Sequence, residues 1–218
     1  MAALRSDLHE EDVQRSRCLG GRLMTITGIN LTVAAGLMAA IGDIGRFKSP
    51  QKLVSSFGLN PRVRQSGLGA AHHGRISKVG RSHARAMLVE AAWAAAKAPG
   101  PLHAFFVRIR AKRGHQIAAV ARKLTVLCWH LLTRGEDYHW ARPALVAHKN
   151  RALELQAGRP MKKGSQRGPA YAYNVKARRD QELLIAGQAE RAYAHCVSQW
   201  QPRRPKAGRT SATKEERR

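Results

Sequence analysis

Ser66 sits in a stretch, residues 58–80, that is rich in glycine, arginine and histidine. Arg62 and Arg64 precede it, His72, His73, Arg75 and Lys78 follow it, and Gly67 and Gly69 lie beside it. A serine hydroxyl is a poor nucleophile until a base takes its proton. Attack on a phosphodiester would also require the added negative charge on phosphorus to be neutralised. The guanidiniums of Arg62, Arg64 and Arg75 and the ammonium of Lys78 suit that second task, arginine offering a planar fork to phosphate oxygens. His72 or His73 could accept the proton, and the glycines would let the backbone approach closely. Read from residue types alone, the cations are first of all phosphate holders, with or without catalysis. By the same reading Ser66 is a turn serine before a glycine. The two histidines suit solvent or nucleic acid better than a metal, having no carboxylate or cysteine near them in sequence.

The charge of the whole chain points the same way. Its 218 residues carry 39 Lys+Arg against 14 Asp+Glu, a net +25. Such a surface repels itself until a polyanion neutralises it. Between Asp43 and Glu136 the sole acidic residue is Glu90. That stretch has globular hydrophobic patterning, so its charge belongs to a folded surface. Two sources fit: a nucleic-acid site, or the basic surface typical of a ribosomal protein. Cys18, Cys128 and Cys196 are widely spaced with no CxxC pair, which disfavours a disulfide or zinc framework and suggests a reducing compartment. Apolar runs are broken by charge well short of the roughly 20 residues of a spanning helix, so no membrane partner is expected. No apolar run follows the N-terminal Met1-Ala2-Ala3-Leu4-Arg5, and the expected location is a bacterial-type cytoplasm, at the nucleoid.

The elements that must position these residues read as helices, and no stretch shows convincing strand alternation. Residues 1–20 form a polar leader, either a helical stub or disordered. Residues 31–41 read as an alanine-rich helix, and Pro50 opens a short one that Gly58 stops. Residues 58–80 read as a long basic loop. A helix then begins at Arg81 or Ser82, the latter as its cap, and runs to Lys97 with alanines on one face; Arg81 and Arg85 lie at its start. Residues 102–113 form another, anchored by Phe105, Phe106 and Ile109. Ile117, Val120, Leu124, Leu127 and Leu131 recur at helical spacing as core or protomer interface. The fold class expected is all-α: a helix-hairpin-helix, a basic loop, a small helical bundle and an extended basic tail. The domain division is a folded unit at 21–140, a basic linker at 141–174, a further helix at 175–200 with Leu183 and Leu184, and a disordered tail at 201–218.

Residues 26–34, Ile26-Thr27-Gly28-Ile29-Asn30-Leu31-Thr32-Val33-Ala34, resemble the helix-hairpin-helix motif. Gly28 permits the tight reversal. Asn30 stands where a second glycine is usual, as a residue that tolerates the left-handed conformation. Backbone N–H groups at the start of the second helix could hold a phosphate, which positions DNA without reading it. An ordinary helical turn is the alternative.

A longer series carries a larger resemblance. It runs Ile26-Thr27-Gly28-Ile29, Ile41-Gly42-Asp43-Ile44, Arg46-Phe47-Lys48-Ser49, Gly58-Leu59-Asn60-Pro61, Gln65-Ser66-Gly67, Gly74-Arg75-Ile76-Ser77-Lys78-Val79-Gly80, Arg85-Ala86-Met87-Leu88-Val89-Glu90-Ala91-Ala92 and Ala121-Arg122-Lys123-Leu124. Each piece is weak; their order and spacing over residues 23–138 are specific. The series resembles the C-terminal domain of the IS-one-ten (116/902) family of insertion-sequence transposases. The resemblance implies a DNA recombinase whose nucleophile is Ser66, in some members guided by a bridge RNA. It implies a homo-oligomer, or a complementing RuvC-like domain with four acidic metal ligands. No such domain is legible here: Asp7, Glu10, Glu11 and Asp12 crowd into the leader. The expectation is therefore a truncated copy or half of a split gene, with no cofactor of its own. A divalent metal, Mg by preference, would come only with the RuvC-like part. The competing class is a non-enzymatic nucleic-acid-binding module that uses the same hairpin and basic residues to hold phosphates.

Binding driven by these cations releases counterions. The logarithm of the DNA association constant should fall with that of the salt concentration, by about 0.9 per phosphate neutralised. An anisotropy titration that hardly moves between low and physiological salt would contradict a phosphate-dominated interface.

Overall fold

Residues 20–25 are helical (α1), and Leu23, Met24 and nearby Ile26 are buried. The computed structural model describes residues 20–65, 72–113, 117–159 and 168–200, without the side chains of His73, Lys112 and Arg113. The expectations for residues 1–19 and for the tail at 201–218 lie outside them. Residues 26–30 reverse the chain into α2, Leu31–Ile41. The reversal needs Gly28 on two counts. Its φ is 94°, and a Cβ there would stand 2.3 Å from the Ala91 carbonyl oxygen. Asn30 differs from expectation. With φ −94° and ψ −178° it is extended, and its Oδ1 accepts from the Val33 amide at 2.9 Å. It is the N-cap of α2, a position that demands extended backbone, so no left-handed residue is required there.

The core grows around α4, Ser82–Lys97. Ala84, Leu88, Ala91, Ala92 and Ala95 recur three or four residues apart and are buried. Their small side chains let the turn at Gly28 and the helix α2 come close. Helix α3, Pro50–Ser56, and helix α6, Ile117–Arg134, complete the cluster through Leu53, Val54, Val120, Leu124 and Cys128. Fully buried leucines such as Leu37, Leu88 and Leu124 contribute about 1.5–3 kcal/mol each. The helical stripe of α6 is thus core, although Leu127 is only half-buried. Burial pushes the Cys128 thiol up to about 12, so it is a packing residue and not a reactive one. Cys128 and Cys196 are both free.

The fold is mostly helical, as expected, with one addition. Residues 58–80 are not simply a loop. Pro61–Arg64 (β1) and His72–Ile76 (β2) pair antiparallel, with Val63 opposite His73 and Arg64 opposite His72. Pro61 faces Ile76, so two steps on β1 match three on β2, and a bulge places an extra residue on β2. Arg62, Val63 and Arg64 are all exposed. With neither face of β1 buried there is no apolar alternation, which is why the strands leave no periodic trace in the sequence.

The stretch expected as a linker also carries helices: α7, Pro143–Gln156, and α8, Pro169–Asn174. Helix α5, Pro101–Arg113, and helix α9, Lys176–Ser198, pack together, and α9 also packs on α7. Leu183 and Leu184 do not anchor α9; they are 70% and 66% exposed. The buried positions are Glu182, Ala186 and Ala189. Glu182 receives Arg142 and the Leu145 amide, and Glu190 accepts from the Gly100 amide at 3.1 Å. Polar contacts rather than an apolar stripe seat this helix, and such contacts have no periodic signature.

Gly28→Ala adds a Cβ where both φ and space forbid it. The expected cost is about 1–2 kcal/mol for the backbone and about 1–3 kcal/mol for overpacking. Urea denaturation followed by circular dichroism should show it without DNA present; an unchanged midpoint would contradict the packing.

Candidate nucleic-acid interface

The hairpin of β1 and β2 stands on a base fixed by backbone hydrogen bonds. The Ser77 amide donates to the Asn60 carbonyl at 2.7 Å, the Lys78 amide to Gly58 at 3.0 Å and the Arg81 amide to Ser56 at 2.9 Å. The return strand therefore lies against the end of α3. Two glycines make the crossing possible: a Cβ on Gly80 would meet the Ser56 carbonyl oxygen at 2.2 Å, and one on Gly58 the Val79 carbonyl oxygen at 2.6 Å. Lys78 adopts φ 57°, unusual for a residue with a side chain, at the bend between the strand and α4. The Asn60 amide closes the base by donating to the Ser55 hydroxyl.

Arg62, Arg64, Arg75 and Lys78 are all exposed on this arm. Arg62 Nη2 donates to the Ser77 carbonyl at 3.2 Å, spanning the two sides of the base. Arg81, also exposed, is the N-cap of α4 without a side-chain bond of its own. Ser82 is therefore the first residue of the helix and not its cap. Arg85 is different from the rest. Its Nη1 donates to the carbonyls of Phe57 at 3.0 Å and Lys78 at 3.2 Å. Its guanidinium ties α4 to the base of the arm, so it positions the other cations. Three ion pairs occur among the described residues, Arg142–Glu182, Arg151–Glu154 and Arg159–Glu154, and all lie beyond the arm. Ser66, Gly67 and Gly69 lie outside the described residues, as does the side chain of His73. His72 is exposed, opposite Arg64.

Gly28 and Asn30 are placed apart from this group. The turn at Gly28 meets Ala91 and Ala95 of α4, whereas Arg81 and Arg85 begin that helix. At a rise of about 1.5 Å per residue, roughly 15 Å of helix axis separates the two sets. Gly28 is turned into the protein, so its own contribution is to packing. Leu31 and Thr32, the first residues of α2, are exposed. No sequence pattern marks Lys149, which clasps this turn from α7. Its Nζ donates to the carbonyls of Met24 at 2.7 Å, Ile26 at 3.0 Å and Ile29 at 2.8 Å. Burial, and to a lesser degree the Arg142 guanidinium, lowers its pKa to about 8. A single lysine within a helical pattern has no signature that distinguishes it from a solvated one.

No three His, Cys, Asp or Glu side chains converge as a metal site would require among the described residues. Among the same residues no helix is long and apolar enough to cross a membrane.

Residues 20–107 match the family described as Transposase IS116/IS110/IS902. The chain is 31% identical over 112 residues to "Putative transposase y4qE" of Sinorhizobium fredii, covering 51% of this chain and 26% of that protein. It is 29% identical over 120 residues to the pilin gene-inverting protein of Moraxella bovis, covering 53% of this chain and 37% of that protein. The chain thus spans between a quarter and two fifths of the length of these curated relatives.

The two kinds of arginine should separate on mutation. Arg62→Ala and Arg64→Ala, on exposed strand, should change stability by no more than about 0.5 kcal/mol. Arg85→Ala leaves two carbonyls without their donor and should cost about 1–3 kcal/mol. Chemical denaturation of the three variants without ligand measures the difference; equal midpoints would remove Arg85 from its positioning role.

Proposed function

We propose that this chain, whose residues 20–107 match the Transposase IS116/IS110/IS902 family, grips DNA through the arm at residues 61–81 and that Ser66 is the nucleophile of strand exchange. The observation that carries the reading is the arm itself. Four exposed cations, Arg62, Arg64, Arg75 and Lys78, are held on a rigid base within the family-matching segment. Phosphates are the natural counter-charge for such a set. The nucleophile assignment is supported by the place of Ser66 in Gln65-Ser66-Gly67, between the two strands, and by the family resemblance of that step.

In the proposed reaction Ser66 Oγ attacks the phosphorus of a phosphodiester. A bond forms from Oγ to phosphorus and the bond from phosphorus to one deoxyribose oxygen breaks. The serine proton passes to His72 or His73, and the departing oxygen takes up a proton to become a hydroxyl. The arm cations neutralise the charge that builds on the equatorial oxygens, where preorganised donors are most effective. Attack by a new hydroxyl end on the phosphoserine reverses these steps and joins the exchanged strands. Divalent metal chemistry, with Mg the preferred ion, would enter with a RuvC-like domain supplied by a partner. A guide RNA and a second copy of this chain are further proposed partners. Leu31 and Thr32 at the start of α2 offer backbone N–H groups for a second phosphate contact.

Ser66→Ala, tested with a complementing RuvC-like domain and target DNA, should lower formation of the covalent protein–DNA adduct by about 10⁴–10⁶-fold. Binding by anisotropy should stay within about threefold, because the loss of one hydroxyl hydrogen bond costs roughly 1 kcal/mol at most. Ser77→Ala and Ser82→Ala should leave the adduct in place. An adduct that persists in Ser66→Ala, or that maps by mass spectrometry to Ser77 or Ser82, overturns the assignment. Retained binding with no adduct in the wild-type chain, with the complementing RuvC-like domain present, favours the non-enzymatic module.

A further inference from the structure

Outside the family-matching segment, α7, its C-terminal turn, α8 and the start of α9 line an open cavity of ≈ 740 Å³. Arg151, Arg159 and Arg178 line it, with Glu154, Asn150 and Tyr171. Glu154 is shared: it accepts Arg151 Nη1 at 2.8 Å and lies 3.6 Å from Arg159 Nη1. Arg178 Nη1 reaches the Ala172 carbonyl at 3.2 Å. Among the described lining residues, three guanidiniums and one carboxylate leave a surplus of two positive charges. Arg151 is the informative member. Its side chain is only 14% exposed, and its Nη2 is buried with no hydrogen-bond partner among the described residues. A buried donor of a charged group is costly to leave unmade, and folded proteins rarely do so without a reason.

We infer that this cavity is a phosphoryl-group site, in which Arg151 Nη2 and the guanidiniums of Arg178 and Arg159 receive the oxygens of a phosphate ester. Arginine's planar fork matches phosphate geometry, and the surplus charge equals that of a phosphate dianion. The cavity is far larger than one phosphate group, so the ester can carry a bulky organic part. Tyr171, 42% exposed, offers that part a flat wall. The phosphate could belong to a nucleic-acid backbone or to a free phosphate compound. The first source rests on the nucleic-acid reading above; the chemistry of the cavity does not.

Phenylglyoxal modification mapped by mass spectrometry reads this site directly, because it reports each arginine separately. Full-length protein at physiological salt is treated alone, with pyrophosphate, and with a single-stranded oligonucleotide. Pyrophosphate should protect Arg159 and Arg178 severalfold, and Arg151→Met should remove that protection. Arg178→Gln, at an exposed position, is the second variant and should remove the protection of Arg159 without loss of folding. Protection by the oligonucleotide as well assigns the site to nucleic acid; protection by pyrophosphate alone assigns it to a free phosphate compound. No protection by either probe, or equal protection in Arg151→Met and in Arg178→Gln, overturns the inference. Duplex binding by the arm is followed in parallel, so that failure at Arg159 and Arg178 with duplex affinity intact removes only this site.

Discussion

The close approach of the turn at Gly28 to the alanine face of α4 is the contact on which the rest of the structure depends. It tolerates no Cβ at Gly28, and it places α2 against the same face. Lys149 then gathers the inward carbonyls of the turn, which draws α7 onto the core. At its other end α4 carries Arg85, whose guanidinium holds the base of the basic arm. One helix thus fixes both a helix start and a strand pair relative to each other. Under the proposed function, that fixed spacing would hold a duplex in one orientation.

The arm is costly as an isolated object. Its first strand buries neither face, only Ile76 at the end of the second packs on the core, and its cations have no carboxylate partner among the described residues. It keeps its place because the cost is met at its base, where the amides of Ser77, Lys78 and Arg81 are satisfied and Gly58 and Gly80 permit a close crossing. Surfaces of one sign repel themselves, so binding of a polyanion relieves the arm of a strain that folding alone leaves in place. The C-terminal half of the chain is built differently. There Glu182, Glu190 and Glu154 pair with arginine or backbone amides, and helices are joined by polar contacts.

Where the core is built from apolar periodicity, the sequence was readable. The bounds of α2 coincide with the expectation of 31–41, and α4 and α6 fall within a residue or a few of theirs. The cations of the arm were legible as a charge pattern, because charge needs no fold to be counted. Its strands were not, since an element exposed on both faces carries no alternation. Helix α7 was hidden for another reason: among the basic residues of a stretch rich in glycine and proline its one buried position, Ala144, gives no stripe. Apolar type alone does not locate the buried face of α9: Leu183 and Leu184 are exposed, whereas Glu182 beside them is buried. Asn30 was found at the right place with the wrong conformation, since capping and left-handed turns favour the same side chain.

The central claim is that residues 61–81 are the surface on which DNA is held. Amide hydrogen exchange of the full chain, with and without a saturating duplex, tests it most directly. The account predicts that the duplex slows exchange at residues 61–65 and 72–81, with a smaller effect at the start of α2. Protection confined to residues 143–198, with the arm unchanged, would contradict it.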